Sequence, residues 1–306
     1  MNPSRPSLRS ALGVVLAAVV ALVASMVPAG SSLASASSAT AVVRGLSPAV
    51  LAWRLTAPAT QTIGYSQRGR AIVAHRQGSP DAAQVVLIVG QMHGSEPRGV
   101  DVVREVRQLI FPKGVQVWTI STMNPDGFAA HTRANARHVD LNRNFPHLWK
   151  PNPKSATYFP GVRAASESET QAVMAFLDEL RPDVVVSLHQ AFRAVDLGPP
   201  KAQRWIDVLS AATGLPIKNI PCNGECRGTM TGWFNSTFVG AAITVELPRH
   251  VSHTQAKIYA RAIRSLASAL VAPPLPVPSP SVSPSGSATP SVTPVPTVTT
   301  APTLSA

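Results

Sequence analysis

Acidic residues, cysteines and tyrosines are all scarce in this chain. Its 306 residues include 15 Asp and Glu against 27 Lys and Arg, two cysteines and three tyrosines. The resulting net charge of +12 draws a protein toward anionic surfaces or acidic substrates. There is nevertheless no run of Lys and Arg and no nucleic-acid-binding motif, so nucleic acid is not expected as a partner. The two cysteines, Cys222 and Cys226, stand four apart and can close a small loop as a disulfide in an oxidising compartment. The rival reading, a two-cysteine zinc site, lacks the further ligands that a structural zinc takes.

Long apolar runs are missing too. A membrane span needs about 20 apolar residues, and the run from Ala11 to Val27 falls short of that. It follows Arg5 and Arg9 and precedes Ala34-Ser35-Ala36, the layout of a secretory signal with a small-residue cleavage site. Residues 1–40 are therefore predicted to be removed, leaving a charge of +10 and no stable membrane insertion. Residues 271–306 have no Asp, Glu, Lys or Arg and are rich in Pro, Ser and Thr. Such a segment cannot pack and is predicted to be a disordered stalk or linker. The folded part is then 41–270, enough for one α/β domain.

What is present in that region alternates between two periodicities. Gln84 to Val89, Val115 to Ile120, Val184 to Leu188 and Ala242 to Leu247 are short apolar runs of the kind buried on both faces of a sheet. Ala71 to Ala74 is a shorter one. Helices are predicted from about Pro97, with Val100, Val103, Val106 and Ile110 on one side. Others run from Ser166 to about Leu180, with Ser166 and Glu169 as a capping box, and from His253 to Leu270. Asn124-Pro125-Asp126-Gly127 has turn chemistry. Residues 128–165 read as a long functional loop. The fold class predicted is α/β, a single domain with a mixed, mostly parallel central sheet and helices on both faces.

The chemistry sits at the ends of those strands. His93 and Glu96 follow the first buried run, and His189 ends a later one. Two imidazoles and one carboxylate at one sheet edge form a catalytic zinc set, with a fourth position left for water. Glu246 lies among Ile, Val and Leu, where an unpartnered carboxylate is costly. A general base beside a metal-activated water explains its place; pairing with a core arginine is the alternative. In the long loop, Arg133, Arg137 and Arg143 can bind carboxylates or a developing oxyanion.

The motifs HGSE (93–96), NPDG (124–127), TRANAR (132–137), VDLNRNFP (139–146), YFPG (158–161), SESET (166–170), SLHQ (187–190) and VELP (245–248) occur in this order. Over about residues 60–270 the series resembles the carboxypeptidase A-type zinc peptidases. Within them it is similar to the bacterial branch of murein peptide amidases and γ-D-glutamyl-diaminopimelate peptidases. The resemblance implies one zinc on His93, Glu96 and His189, with Glu246 as general base and acid and Arg133 polarising the scissile carbonyl. It also implies that Asn142 and Arg143 grip the terminal carboxylate of a peptide or murein-peptide substrate.

Three points depart from that pattern. The mobile tyrosine of digestive members has no counterpart between Cys222 and Trp233. The side-chain pocket, expected near Met230 to Trp233, shows no acid for basic residues. His138 stands where relatives often have Gly. Two other classes of function match only part of the pattern. Aspartoacylase-type deacylases share the His-x-x-Glu and Asn-Arg elements but not NPDG, TRANAR and VELP. A non-catalytic wall-binding module would lack a ligand or the base, and all four are present.

Overall fold

The computed structural model describes residues 46–152, 154–220 and 226–272. The predicted signal, nearly all of the tail and Cys222 lie outside them, so the Cys222–Cys226 pairing lies outside the described residues at its Cys222 end. Eight strands form one sheet in the order β1-β2-β4-β3-β5-β8-β6-β7. They are β1 (Thr60–Tyr65), β2 (Ala71–Gln77), β3 (Gln84–Val89), β4 (Val115–Ile120), β5 (Val184–Gln190), β6 (Ala194–Asp196), β7 (Ile217–Lys218) and β8 (Ala241–Leu247). The central pairs β4–β3, β3–β5 and β5–β8 are parallel. The flanking pairs β1–β2, β2–β4 and β6–β8 are antiparallel, and β6–β7 is parallel. The sheet is mixed and mostly parallel, as the continuous apolar runs predicted.

Helices cover both faces, and each face carries its own core. On one side α2 (Arg98–Val106), α5 (Gln203–Thr213) and α7 (His253–Val271) bury Val102, Val103, Ile206, Ile263 and Leu266 against Val86, Ile88, Val186 and Val245. On the other, α1 (Pro48–Thr56), α4 (Ser168–Leu180) and α6 (Met230–Thr237) pack on Val85, Leu87, Trp118 and Ala242. Successive strand residues point to opposite faces, so Val85 and Leu87 serve one core while Val86 and Ile88 serve the other. None of the described helices is long and apolar enough to cross a membrane.

Three sequence readings need correction. The Asn124–Gly127 turn is the start of a short helix, α3 (Pro125–Ala130). Asn124 is its N-cap and accepts from Gly127 N at 2.9 Å, a role that Asn fills as readily as it fills a turn. The Ser166–Glu169 capping box does not form: Glu167 is the N-cap of α4 and makes no side-chain cap bond. Glu169 is fully buried and accepts instead from Gln67 N at 3.2 Å and from Asn135 Nδ2 at 3.3 Å. Ile110 lies beyond the end of α2 and is 84% exposed, because the helix closes at Val106 before its apolar stripe can return. The true capping box is on α7, where the Ser252 hydroxyl accepts from Gln255 N and Gln255 Oε1 accepts from Ser252 N.

Phe176 on α4 meets the rings of Trp53 and Trp118 edge-on at 5.9 and 5.4 Å. Phe176→Ala should therefore lower stability by about 3–5 kcal/mol, read as the shift in the urea unfolding midpoint at unchanged slope.

Candidate metal centre

The strand order reverses direction beside β3: β4 lies on one side of it and β5 on the other. In an open α/β sheet such a switch point leaves a crevice beyond the strand C-termini. The residues after β3, the end of β5 and the end of β8 all open into it. His189 is the cross-strand partner of Glu246 in the β5–β8 pair, which fixes those two side by side. His93 and Glu96 come from the loop between β3 and α2. Gly94 lets that loop press against α3, since a Cβ there would overlap the Gly127 backbone.

His93, Glu96 and His189 place their ligand atoms within 4.8 Å of one another. His93 Nδ1 is 2.9 Å from Glu96 Oε1, and His189 Nδ1 is 3.0 Å from Glu96 Oε2. The two Nδ1 atoms face each other at 3.2 Å. Two lone pairs so placed repel unless they share a cation, so the geometry suits a metal bound through both Nδ1 atoms and the carboxylate. Two imidazoles and one carboxylate with an open side are a donor set that zinc takes.

Behind His93 stands a group that the sequence reading passed over. Asp140 is fully buried; its Oδ1 lies 3.0 Å from His93 Nε2, and its Oδ2 accepts from Arg133 Nε at 3.0 Å. A carboxylate on the far nitrogen of a ligand histidine fixes the tautomer that leaves the near nitrogen free for metal. Burial opposes charge on His93, but Glu96 and Asp140 outweigh it and push its pKa up to about 9. Burial likewise opposes charge on Asp140, and His93 and Arg133 overcome it, holding that carboxyl well below the usual range. Arg133 also touches Glu96 Oε1 through Nη1 at 3.2 Å.

The other predicted residues line the same cleft of about 380 Å³, with Arg133, Asn142, Arg143 and Glu246 around the three ligands. Asn142 and Arg143 lie on a 3-10 turn, Leu141–Arg143, held by Asp140, whose Oδ1 accepts from Asn142 N at 2.9 Å. Tyr158 packs its ring against both guanidinium groups, 5.3 Å from Arg133 and 5.1 Å from Arg143. Glu246 forms no ion pair with an arginine among the described residues; its Oε2 accepts only a long bond from Phe192 N at 3.4 Å. Burial pushes its pKa up, with Glu96 adding to the rise against the pull of His189.

The remaining motif residues are scaffold. Asn135 Nδ2 donates to Glu167 at 2.9 Å, and Asn144 Nδ2 donates to Pro160 O at 2.7 Å and to Ser166 Oγ at 3.0 Å. Arg137 lies at the rim of this network, 3.7 Å from Glu167. Asp126 accepts from Arg68 N and Arg70. His138 has φ +61°, a left-handed conformation in which Gly is the unstrained residue.

Comparison with known proteins agrees with this geometry. Residues 57–197 match the zinc carboxypeptidase family. Those residues form a zinc carboxypeptidase domain. The protein is a metallopeptidase related to the murein peptide amidases. Murein peptide amidase A of Escherichia coli (strain K12) is 26% identical over 221 residues, 68% of this chain and 89% of that protein. The crystal structure of murein-tripeptide amidase MpaA from Escherichia coli O157 superposes with TM-score 0.56 at 26% identity, covering 71% of this chain and 94% of that one. The carboxypeptidase A of Helicoverpa armigera shares the fold, with TM-score 0.60 at 19% identity over 69% of this chain and 68% of that one.

Two outcomes follow for this metallopeptidase. Asp140→Asn should weaken zinc binding by about 10–100-fold, measured by competition with a chromophoric chelator while the far-ultraviolet circular dichroism stays unchanged. In the metal-free protein, His93 has a folded pKa of about 9 against roughly 6.5 unfolded. Its contribution to stability is complete below pH about 6.5 and is lost as pH rises through about 9. The urea midpoint of the metal-free protein should therefore fall over that window, whereas zinc, by displacing the proton, should flatten the fall.

Proposed function

We propose that this chain is an exported zinc metallocarboxypeptidase that hydrolyses a peptide-type amide next to a free carboxylate, in cell-wall (murein) peptides. The observation that carries the reading is one cleft holding four parts: the His93–Glu96–His189 triad, the buried Glu246, Arg133, and the Asn142–Arg143 turn. Export is supported by residues 1–40 and by the basic charge. A murein substrate is supported by the relatives named murein peptide amidase. In the oxidising surroundings of an exported protein, Cys222 and Cys226 close as a disulfide.

His93, Glu96 and His189 would hold one zinc ion, which would supply Lewis acidity to a water molecule and to the carbonyl. The rest is done by the chain. Glu246 accepts a proton from water as its oxygen bonds to the amide carbon. Burial makes the Glu246 carboxylate a stronger base than an exposed one. Arg133 donates to the carbonyl oxygen as charge builds there. Glu246 then hands its proton to the nitrogen while the carbon–nitrogen bond breaks, giving a carboxylic acid and a free amine. Arg143, packed over the Tyr158 ring, and Asn142 bind the carboxylate of the released residue and so set which bond reaches Glu246. A planar guanidinium suits a carboxylate in two-point fashion.

The test is mass-spectrometric product analysis of the zinc-loaded protein on a murein tripeptide and a panel of C-terminally varied peptides. Release of the terminal diaminopimelate is expected; release from ordinary peptides alone would favour protein C-termini, and release from neither set overturns the reading. Glu246→Gln should keep its zinc and lose about 10²–10⁴-fold in turnover. Full turnover in that variant removes Glu246 from the base role.

A further inference from the structure

The released residue has a side chain, and the cleft has room for it beyond the reacting bond. Along β8, residues two apart share a face, so Ala242, Thr244 and Glu246 stand in one row, and all three line the cleft. Small side chains below Glu246 open a pocket there. Asn235 on α6 closes part of its wall but is committed: its Nδ2 donates to Ala242 O and its Oδ1 accepts from Ala242 N, both at 2.8 Å.

The opposite wall comes from β6. Ala194 pairs with Glu246 and Val195 with Val245 in antiparallel register. One step further, Asp196 comes level with Thr244 on the same face, about 7 Å along the strand from the base. Asp196 lines the cleft beside Leu197, Thr231 and Thr244. Among the described residues three carboxylates line this cleft: Glu96, Glu246 and Asp196. Glu96 is a metal ligand and Glu246 the proton carrier. Asp196 serves neither purpose. Its Oδ1 accepts from Ile220 N at 3.0 Å, and it forms no ion pair among the described residues. Lys218, its cross-strand neighbour on β7, is exposed and makes none with it. A half-buried carboxylate without a cation is costly, and burial pushes Asp196 up accordingly.

We infer that Asp196 makes the deep end of the cleft a subsite for an ammonium group on the side chain of the released residue. The acid expected near Met230 to Trp233 and absent there is supplied from β6 instead. The substrate class is an amide whose leaving amine belongs to a diamino acid with a free α-carboxylate. The Asn142–Arg143 turn takes the carboxylate, Glu246 faces the bond, and Asp196 receives the distant ammonium. This inference rests on the peptidase reading above.

The experiment compares peptides that end in lysine with otherwise identical peptides that end in norleucine, which has the same carbon chain and no ammonium. With the zinc-loaded wild type, kcat/KM for lysine should exceed that for norleucine by at least tenfold. Asp196→Asn should remove that preference while norleucine release stays within threefold, and Asp196→Glu should restore part of it. Free lysine should bind more tightly than free norleucine by NMR titration, a readout independent of turnover. Release of both residues at equal rates by the wild type overturns the Asp196 assignment and leaves the peptidase reading standing. No release from any peptide or murein substrate overturns both. The wild-type ratio decides the matter even where a variant fails to fold.

Discussion

A single buried carboxylate holds this active site together. Asp140 has no exposure to solvent, and an ionised acid there is tolerable only if its oxygens are fully engaged. One oxygen faces His93 and accepts the amide N–H of Asn142; the other takes Arg133. His93, the Asn142–Arg143 turn and Arg133 are thus positioned by the same group. Removing any one of its partners leaves charge buried without compensation, so the three cannot drift apart independently.

The irregular loop that carries Asp140 is held by the same logic on a larger scale. From residue 131 to 167 it has little regular structure, and its backbone groups need partners that a helix or strand would have supplied. Asn135 and Asn144 provide them by donating and accepting at once, and Glu167 and Glu169 receive the donors from within the core. The loop is long because it is a polar core in its own right, packed between the sheet edge and α4.

Much of this was legible in the sequence where one residue's environment follows from its immediate neighbours. Continuous apolar runs marked β3, β4, β5 and β8 because both faces of those strands are covered. His93, Glu96 and His189 were legible because each follows or ends such a run. What needed the third dimension was missed. Asp140 read as one more loop residue, and only contact with His93 and Arg133 gives it a role. Tyr158 reaches both arginines across a loop whose path no local pattern records. Asp196 ends the three-residue strand β6, too short to show alternation. α1 and β1 carry weak patterns because they lie at the margin of the sheet, where β1 alternates between exposed and partly covered positions. Glu169 misled because a helix-capping acid and a buried acceptor look alike until the surroundings are known.

The row formed by Ala242, Thr244 and Glu246 makes β8 a ruler with two scales on one edge. In the proposed reaction the end near residue 246 sets where a bond is broken, and the lower marks set how large a group can hang beneath it. Because the spacing between marks is fixed by the pleat, bulk can be added or trimmed at 242 or 244 without displacing Glu246. A descendant of this chain could therefore change its diet one methyl group at a time while keeping its chemistry intact. A single inserted residue in the same strand would do the reverse, turning every mark to the wrong side of the sheet.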